Sequence, residues 1–334
     1  MFESRGRRLR RRLRTVPTIL GLLVLTTVLA PLWLIVGVLV DVVRWVVGRR
    51  PFMAVRMLAF GWVYLAVGAW CLATLLVHWV AAGFGRDRMK MREGSYRLQE
   101  WWADVLFGTV KRIFRLSVTV DGLDAVSPGP VIVMMRHASI VDTLLPNVFV
   151  TRGAGIRLRY VLKRELLADP TLDIAGNRLI NHFVDRDGDV AAEVGAVLAL
   201  TEGMTEREGV LIYPEGTRFT AERRQRIVDQ LGERSSDLAD RTRALERVLP
   251  PRPGGSAVLL ATGHDVIIAA HTGLEPLATI PDAWSGSVVG SDVRIRFERF
   301  AGGSIPTDRR GRVQWLFDRW AEVDKWILEV SPTA

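Results

Sequence analysis

Residues 131–142 read V-I-V-M-M-R-H-A-S-I-V-D. The first five, Val131 to Met135, are all apolar, the pattern of a short strand covered on both faces. The run ends at Arg136 and His137. Ser139 and Asp142 then stand at the S-x-x-D spacing of a capping box, which predicts a helix beginning at Ser139. His137 falls in the turn between strand and helix, at the carboxyl end of the strand, where open α/β sheets bind their ligands. A carboxylate five residues on reaches back to the imidazole, fixes its tautomer and stabilises the cation formed when the ring takes a proton. On these residues alone a second reading stands beside the first: His137 as a polar turn residue and Asp142 as a helix cap only.

On either side of this stretch, apolar runs alternate with helical patterns. Strands are expected at Leu116–Val120, Tyr160–Leu162, His182–Val184, Val210–Tyr213, Val266–Ala270 and Val293–Phe300. Helices are expected over Ser95–Phe114, from Glu165, over Val190–Leu200 and over Gln314–Val330, with a charged, exposed helical excursion at Ala221–Arg252. The alternation predicts an α/β fold: a mostly parallel sheet covered by helices.

The chain has 334 residues and a formal net charge of +9. Residues 1–56 hold eleven Arg against Glu3 and Asp41, so the excess is 11 − 2 = +9 and the remaining 278 residues are formally neutral. A basic groove for nucleic acid needs excess charge in the folded part, so nucleic acid is not an expected partner. The single cysteine, Cys71, excludes disulfides and a Cys-based zinc site.

Seven arginines between Arg5 and Arg14 form a basic arm. Val16 to Val40 then runs without an ionisable side chain, long enough to cross a hydrocarbon core of about 30 Å. Pro31 predicts a kink in it. A second run, Met57 to Gly85, contains only His78 as an ionisable group. The expected organisation is a basic arm and membrane-anchoring helical hairpin at 1–85, followed by a domain at 86–334. Arginine placement predicts a cell-membrane location with that domain on the cytoplasmic face. Whether the hairpin spans or re-enters is open, with two spans preferred.

Residues 210–218 read V-L-I-Y-P-E-G-T-R, a strand ending in a turn that puts Glu215, Gly216, Thr217 and Arg218 at the carboxyl edge. An Arg beside backbone N–H groups freed by a Gly turn suits a phosphate. Lys163, Arg164 and Glu165 end a third strand, and Asp185 and Arg186 a fourth. A strand-end charge is ordinary singly; their shared rim is what counts.

The H-A-S-I-V-D at 137–142, Y-V-L-K-R-E-L-L-A-D-P at 160–170, F-V-D-R at 183–186 and Y-P-E-G-T-R at 213–218 together resemble the 1-acylglycerol-3-phosphate acyltransferase family, over roughly residues 115–280. Two positions depart from its usual pattern: Arg136 stands where Asn is common, and 268–273 read I-A-A-H-T-G, with His271 at a usually apolar or Pro position. The resemblance implies that His137 is the general base and Asp142 its orienting partner. It implies a phosphate site of Glu215, Gly216, Thr217 and Arg218, helped by Lys163 and Arg186, with no metal and no cofactor.

The implied reaction moves a fatty acyl group from acyl-CoA or acyl carrier protein to a lysophosphatidic acid-type acceptor drawn from membrane lipids. Another lysophospholipid or glycerol 3-phosphate as acceptor leaves the chemistry unchanged. An acyl thioester is already activated, so a base suffices and no covalent enzyme intermediate is required; no G-x-S-x-G elbow is present. Backbone N–H groups near Ser139 are expected to hold the oxyanion. Two rivals from other classes are a metal-dependent membrane phosphohydrolase using His137, Asp142 and His182 or His271, and a non-catalytic lipid-binding or scaffolding protein. The first has only five His and no close His pair to draw on.

Overall fold

The computed structural model describes residues 4–185, 189–231 and 237–331. Seven strands are seen among these residues: β1 (Ser117–Asp121), β2 (Val131–Met135), β3 (Arg157–Lys163), β4 (His182–Val184), β5 (Glu208–Ile212), β6 (Asp265–Thr272) and β7 (Asp292–Phe300). They form one sheet in the order β1-β7-β6-β2-β5-β3-β4, parallel throughout except for the β6–β7 pair. The expected fold class is the observed one.

β2 lies at the centre because all five of its side chains are buried. Its alternate residues serve two cores, as a period of two requires. Val131, Val133 and Met135 pack on one face with α4 (Arg88–Phe114, which follows the hairpin). Ile132 and Met134 pack on the other with residues of Val190–Ala199, Pro253–Leu260 and Arg309–Val330.

The amino-terminal part departs from the expected boundaries. Val16–Val40 is not one helix: α1 (Arg5–Val28) ends at Leu29 and α2 (Ala30–Gly48) begins there, with Pro31 in its first turn. Proline lacks the N–H that would continue the ladder, but it is well tolerated at a helix start. The pair of helices long and apolar enough to cross a membrane is α2 and α3 (Ala54–Ala81). Asp41, the acidic residue of α2, is fully buried and accepts the N–H groups of Met53, Ala54 and Val55 at 2.8, 2.8 and 2.9 Å. It therefore caps α3 from a distance and closes the hairpin.

α3 also belongs to the sheet's core, through Val67, Cys71 and Leu75. Several ties run from these first helices to segments that follow the carboxyl ends of β3 and β6. Arg11 and Arg12 pair with the buried Asp173 carboxylate, Tyr64 donates to Asp169, Arg178 donates to the Leu75 carbonyl at 3.0 Å and Arg44 to that of Trp284 at 2.6 Å. The hairpin thus sits against the sheet edge where ligands are expected.

After β3 the chain forms a 3-10 turn, Arg164–Ala168, and then α5 (Pro170–Gly176), capped by Asp169. The charged excursion contains α6 (Ala221–Leu231), with no buried residue, and a second helix, Asp237–Ala244. Pro253–Leu260 and Ile280–Ser285 are helices without a strong periodic signal in the sequence.

Candidate active site

Beyond β2 the expected α-helix from Ser139 is replaced by a 3-10 turn, Val141–Leu144, and a π-helix, Pro146–Gly153. The capping box itself forms: Ser139 Oγ accepts the Asp142 N–H at 3.0 Å, and Asp142 Oδ2 accepts the Ser139 N–H at 2.7 Å. Oδ2 also accepts the Ala138 N–H at 2.5 Å, while Oδ1 lies 2.8 Å from His137 Nδ1. A carboxylate only accepts, so Nδ1 carries the hydrogen and Nε2 keeps its lone pair. His137 is 8% exposed, so that nitrogen works in a largely water-excluded turn.

The N–H groups expected to hold an oxyanion are already used. Ala138 and Ser139 donate to Asp142, and Ile140 donates to the Leu277 carbonyl at 3.3 Å. The tight return of Asp142 needed to reach His137 consumes them.

The turn after β5 clamps the His137 backbone from the neighbouring strand. Glu215 Oε1 accepts the His137 N–H at 2.9 Å, and the His137 carbonyl accepts the Phe219 N–H at 2.7 Å. Glu215 Oε2 accepts the Leu249 N–H at 3.0 Å, and the side chain is 1% exposed. Its carboxylate therefore lies beneath the site, with both oxygens committed, and does not face an acceptor. Gly216 has φ of +66°, the left-handed region that favours glycine. Thr217 and Arg218 are half-buried; Arg218 donates to the Ala278 carbonyl at 2.6 Å, which leaves further guanidinium donors. Tyr213 stacks on His137 with ring centroids 4.7 Å apart.

Lys163 ends β3 opposite Val184 of β4 and is half-buried. Since β5 lies between β2 and β3, it stands two strands from β2, roughly 10 Å away at ordinary strand spacing. Arg186 lies outside the described residues.

A second layer was not signalled by any motif. Arg136 is fully buried and donates to the carbonyls of His271 and Arg247, each at 2.7 Å, and to the Glu275 carboxylate. Asp324, buried on the closing helix Arg309–Val330, accepts the N–H groups of Glu246, Arg247 and Val248 at 3.1, 2.5 and 3.0 Å. The only sequence signal for Asp324 is a carboxylate on an otherwise apolar helix stripe. Among the described residues no group of three His, Cys, Asp or Glu side chains is placed to hold a metal ion.

Burial works against the Asp142 anion, yet His137 and His271 hold its carboxyl well below the usual range. Burial pushes Glu215 up to about 7, against the pull of Arg136 and its two N–H donors. The two therefore bend stability with pH in opposite senses. Asp142 contributes stability above the ordinary carboxylate range that is lost as pH falls; the contribution of Glu215 is full below the ordinary value and lost as pH rises through about 7. Asp142→Asn is expected to flatten the acid side of the melting-temperature profile, measured in detergent from pH 3 to 7. An unchanged acid slope would show that Asp142 is not held as an anion.

Residues 117–270 match a family model described as Acyltransferase. No curated protein gives a significant sequence match. Among solved structures, the chain is similar to the 1-acyl-sn-glycerophosphate acyltransferase PlsC from Thermotoga maritima, with 17% identity and a TM-score of 0.56, over 84% of this chain and 98% of that one.

Proposed function

We propose that this chain, whose residues 117–270 match the acyltransferase family model, is an O-acyltransferase that moves a fatty acyl group from an acyl thioester to the hydroxyl of a lysophospholipid. The acceptor favoured is 1-acylglycerol 3-phosphate, and the product phosphatidic acid. The observation that carries this reading is the 2.8 Å approach of His137 Nδ1 to Asp142.

With Nδ1–H held by Asp142, His137 Nε2 takes the proton of the acceptor hydroxyl as its oxygen attacks the thioester carbonyl. The tetrahedral intermediate collapses with cleavage of the carbon–sulfur bond. The imidazolium returns its proton to the departing sulfur, so ester and thiol leave and the ring ends neutral. Asp142 stabilises the transient cation and keeps the tautomer fixed. The chain's own residues suffice for these steps, with acyl-CoA or acyl carrier protein as donor and no cofactor.

Arg218 supplies charge for the acceptor phosphate, with Lys163 further along the edge, Gly216 and Thr217 shaping the turn, and Arg186, outside the described residues, as a further basic candidate. Glu215 serves this site by holding the His137 backbone. A lipid acceptor is supported by three exposed apolar side chains in segments that follow the carboxyl ends of strands: Ile140 after β2, Leu166 in the 3-10 turn after β3 and Ile280 at the start of the helix Ile280–Ser285. In this reading residues 1–85 anchor the protein in the cell membrane and 86–334 work on the cytoplasmic face. An acceptor panel tests it: at equal micellar concentration, 1-acylglycerol 3-phosphate is expected to turn over faster than a monoacylglycerol of the same chain, and Arg218→Met to remove that preference. Equal rates for both lipids in the unaltered protein would contradict the phosphate assignment.

A further inference from the structure

His271, at the carboxyl end of β6, is completely buried and lies outside the motifs that carry the proposed chemistry. Its Nε2 lies 3.0 Å from the Arg136 carbonyl oxygen and 3.4 Å from Asp142 Oδ2. A carbonyl only accepts, so Nε2 carries the hydrogen and presents it to both oxygens. In return, Arg136 Nη1 donates to the His271 carbonyl at 2.7 Å. Each residue's side chain thus binds the other's backbone across neighbouring strands, at the residue immediately before His137.

We propose that His271 is a positioning residue: through its reciprocal clasp with Arg136 it fixes the turn that carries His137, and through the same N–H it shares the Asp142 carboxylate. The proposal rests on the acyl-transfer reading for its kinetic consequences, but not for the geometry.

The Asp142 carboxylate lies between two imidazoles, His137 on Oδ1 and His271 on Oδ2. The other charged or titratable groups packed about this turn are Arg136 from β2, Tyr213 and Glu215 from the β5 end, and Glu275 beyond β6. An N–H directed at Oδ2 draws charge from the carboxylate. Without it Asp142 holds the His137 imidazolium more firmly, and the ring gives up its proton only at higher pH. The acid limb of the rate profile then moves to higher pH. The Arg136 carbonyl also loses its imidazole donor, and the turn loosens.

The test uses the full chain in detergent, with a leucine variant that removes the N–H and a glutamine variant whose amide N–H stands near the place of Nε2. His271→Leu is expected to lower kcat about 10- to 100-fold, as loss of a buried hydrogen bond implies, with KM little changed. It is expected to move the acid limb up by about half a pH unit, by loss of one N–H to the carboxylate. His271→Gln is expected to restore both. A fall in melting temperature with an unmoved acid limb in both variants would overturn the proposal, since packing alone would then explain the residue.

If the leucine variant does not fold, glutamine is compared with asparagine, whose amide corresponds to Nδ1. Wild-type behaviour for Gln with a shifted limb for Asn supports the role; identical behaviour of the two overturns it. An NMR titration of the His137 ring without substrates separates this inference from the acyl-transfer reading. A ring that titrates at higher pH in His271→Leu upholds the clasp even if the unaltered protein transfers no acyl group. A ring that titrates as in the unaltered protein refutes the clasp even if it does.

Discussion

Replacing His137 by alanine is expected to reduce acyl transfer by about 10²- to 10⁴-fold, the range that a positioned base contributes. The melting temperature should fall, because the buried Asp142 carboxylate loses its imidazole partner at His137. Its backbone is held independently, by Glu215 on the N–H side and Phe219 on the carbonyl side. The loss should therefore appear in kcat, with lysolipid and thioester still binding. Asp142→Asn is expected to lose activity for a different reason. Its amide cannot accept on both sides as the carboxylate does, so both the tautomer of His137 and the Ala138–Ser139 turn are disturbed. Thiol release with purified protein measures both; activity within twofold of the unaltered protein for His137→Ala would remove His137 from the reaction.

The second large effect concerns stability. Arg136→Leu is expected to destabilise the fold by about 1–3 kcal/mol, the cost of leaving buried acceptors without their donor. The substitution leaves the His271 and Arg247 carbonyls without their guanidinium donor. It also leaves the Glu275 carboxylate, which accepts from Thr272 and Gly273, without its cation. Burial raises the cost of the Glu275 anion, and Arg136 is the main compensating influence. Arg136→Lys should recover little, since an ammonium cannot span three acceptors in the geometry of a planar guanidinium. Chemical denaturation in detergent, followed by tryptophan fluorescence, measures the loss; a change under about 1 kcal/mol, the scale of an ordinary surface substitution, would show that the clasp is dispensable.

Much of this arrangement was legible because its signals are local. The five apolar residues of β2 admit one reading when flanked by turn-formers, and the observed strand has those same limits. The S-x-x-D spacing places Asp142 against His137 through a turn closed within six residues. The strand-and-helix alternation carries the sheet class in the same way.

What was not legible depends on contacts between segments distant in sequence. P-E-G-T-R reads as an exposed turn, yet Glu215 is drawn under the His137 loop because two backbone N–H groups, 34 and 78 residues away, need an acceptor. Asp41 enters the sequence reading only through the charge count, but it is the cap of the next helix. The run from Val16 to Val40 looks continuous by hydropathy, because hydropathy does not register a missing N–H at Pro31. The helix after His137 follows 3-10 and π geometry because Asp142 is pulled back to the turn and Pro146 starts a new segment.

The most direct test of the account is the stoichiometry of one reaction. Purified protein in detergent micelles is given 1-acylglycerol 3-phosphate and an acyl-CoA, and free thiol and acylated lipid are followed together by colorimetry and mass spectrometry. One phosphatidic acid formed per thiol released, with neither formed by His137→Ala, is the predicted result. Thiol released without acylated lipid, or equal turnover in the alanine variant, would contradict it.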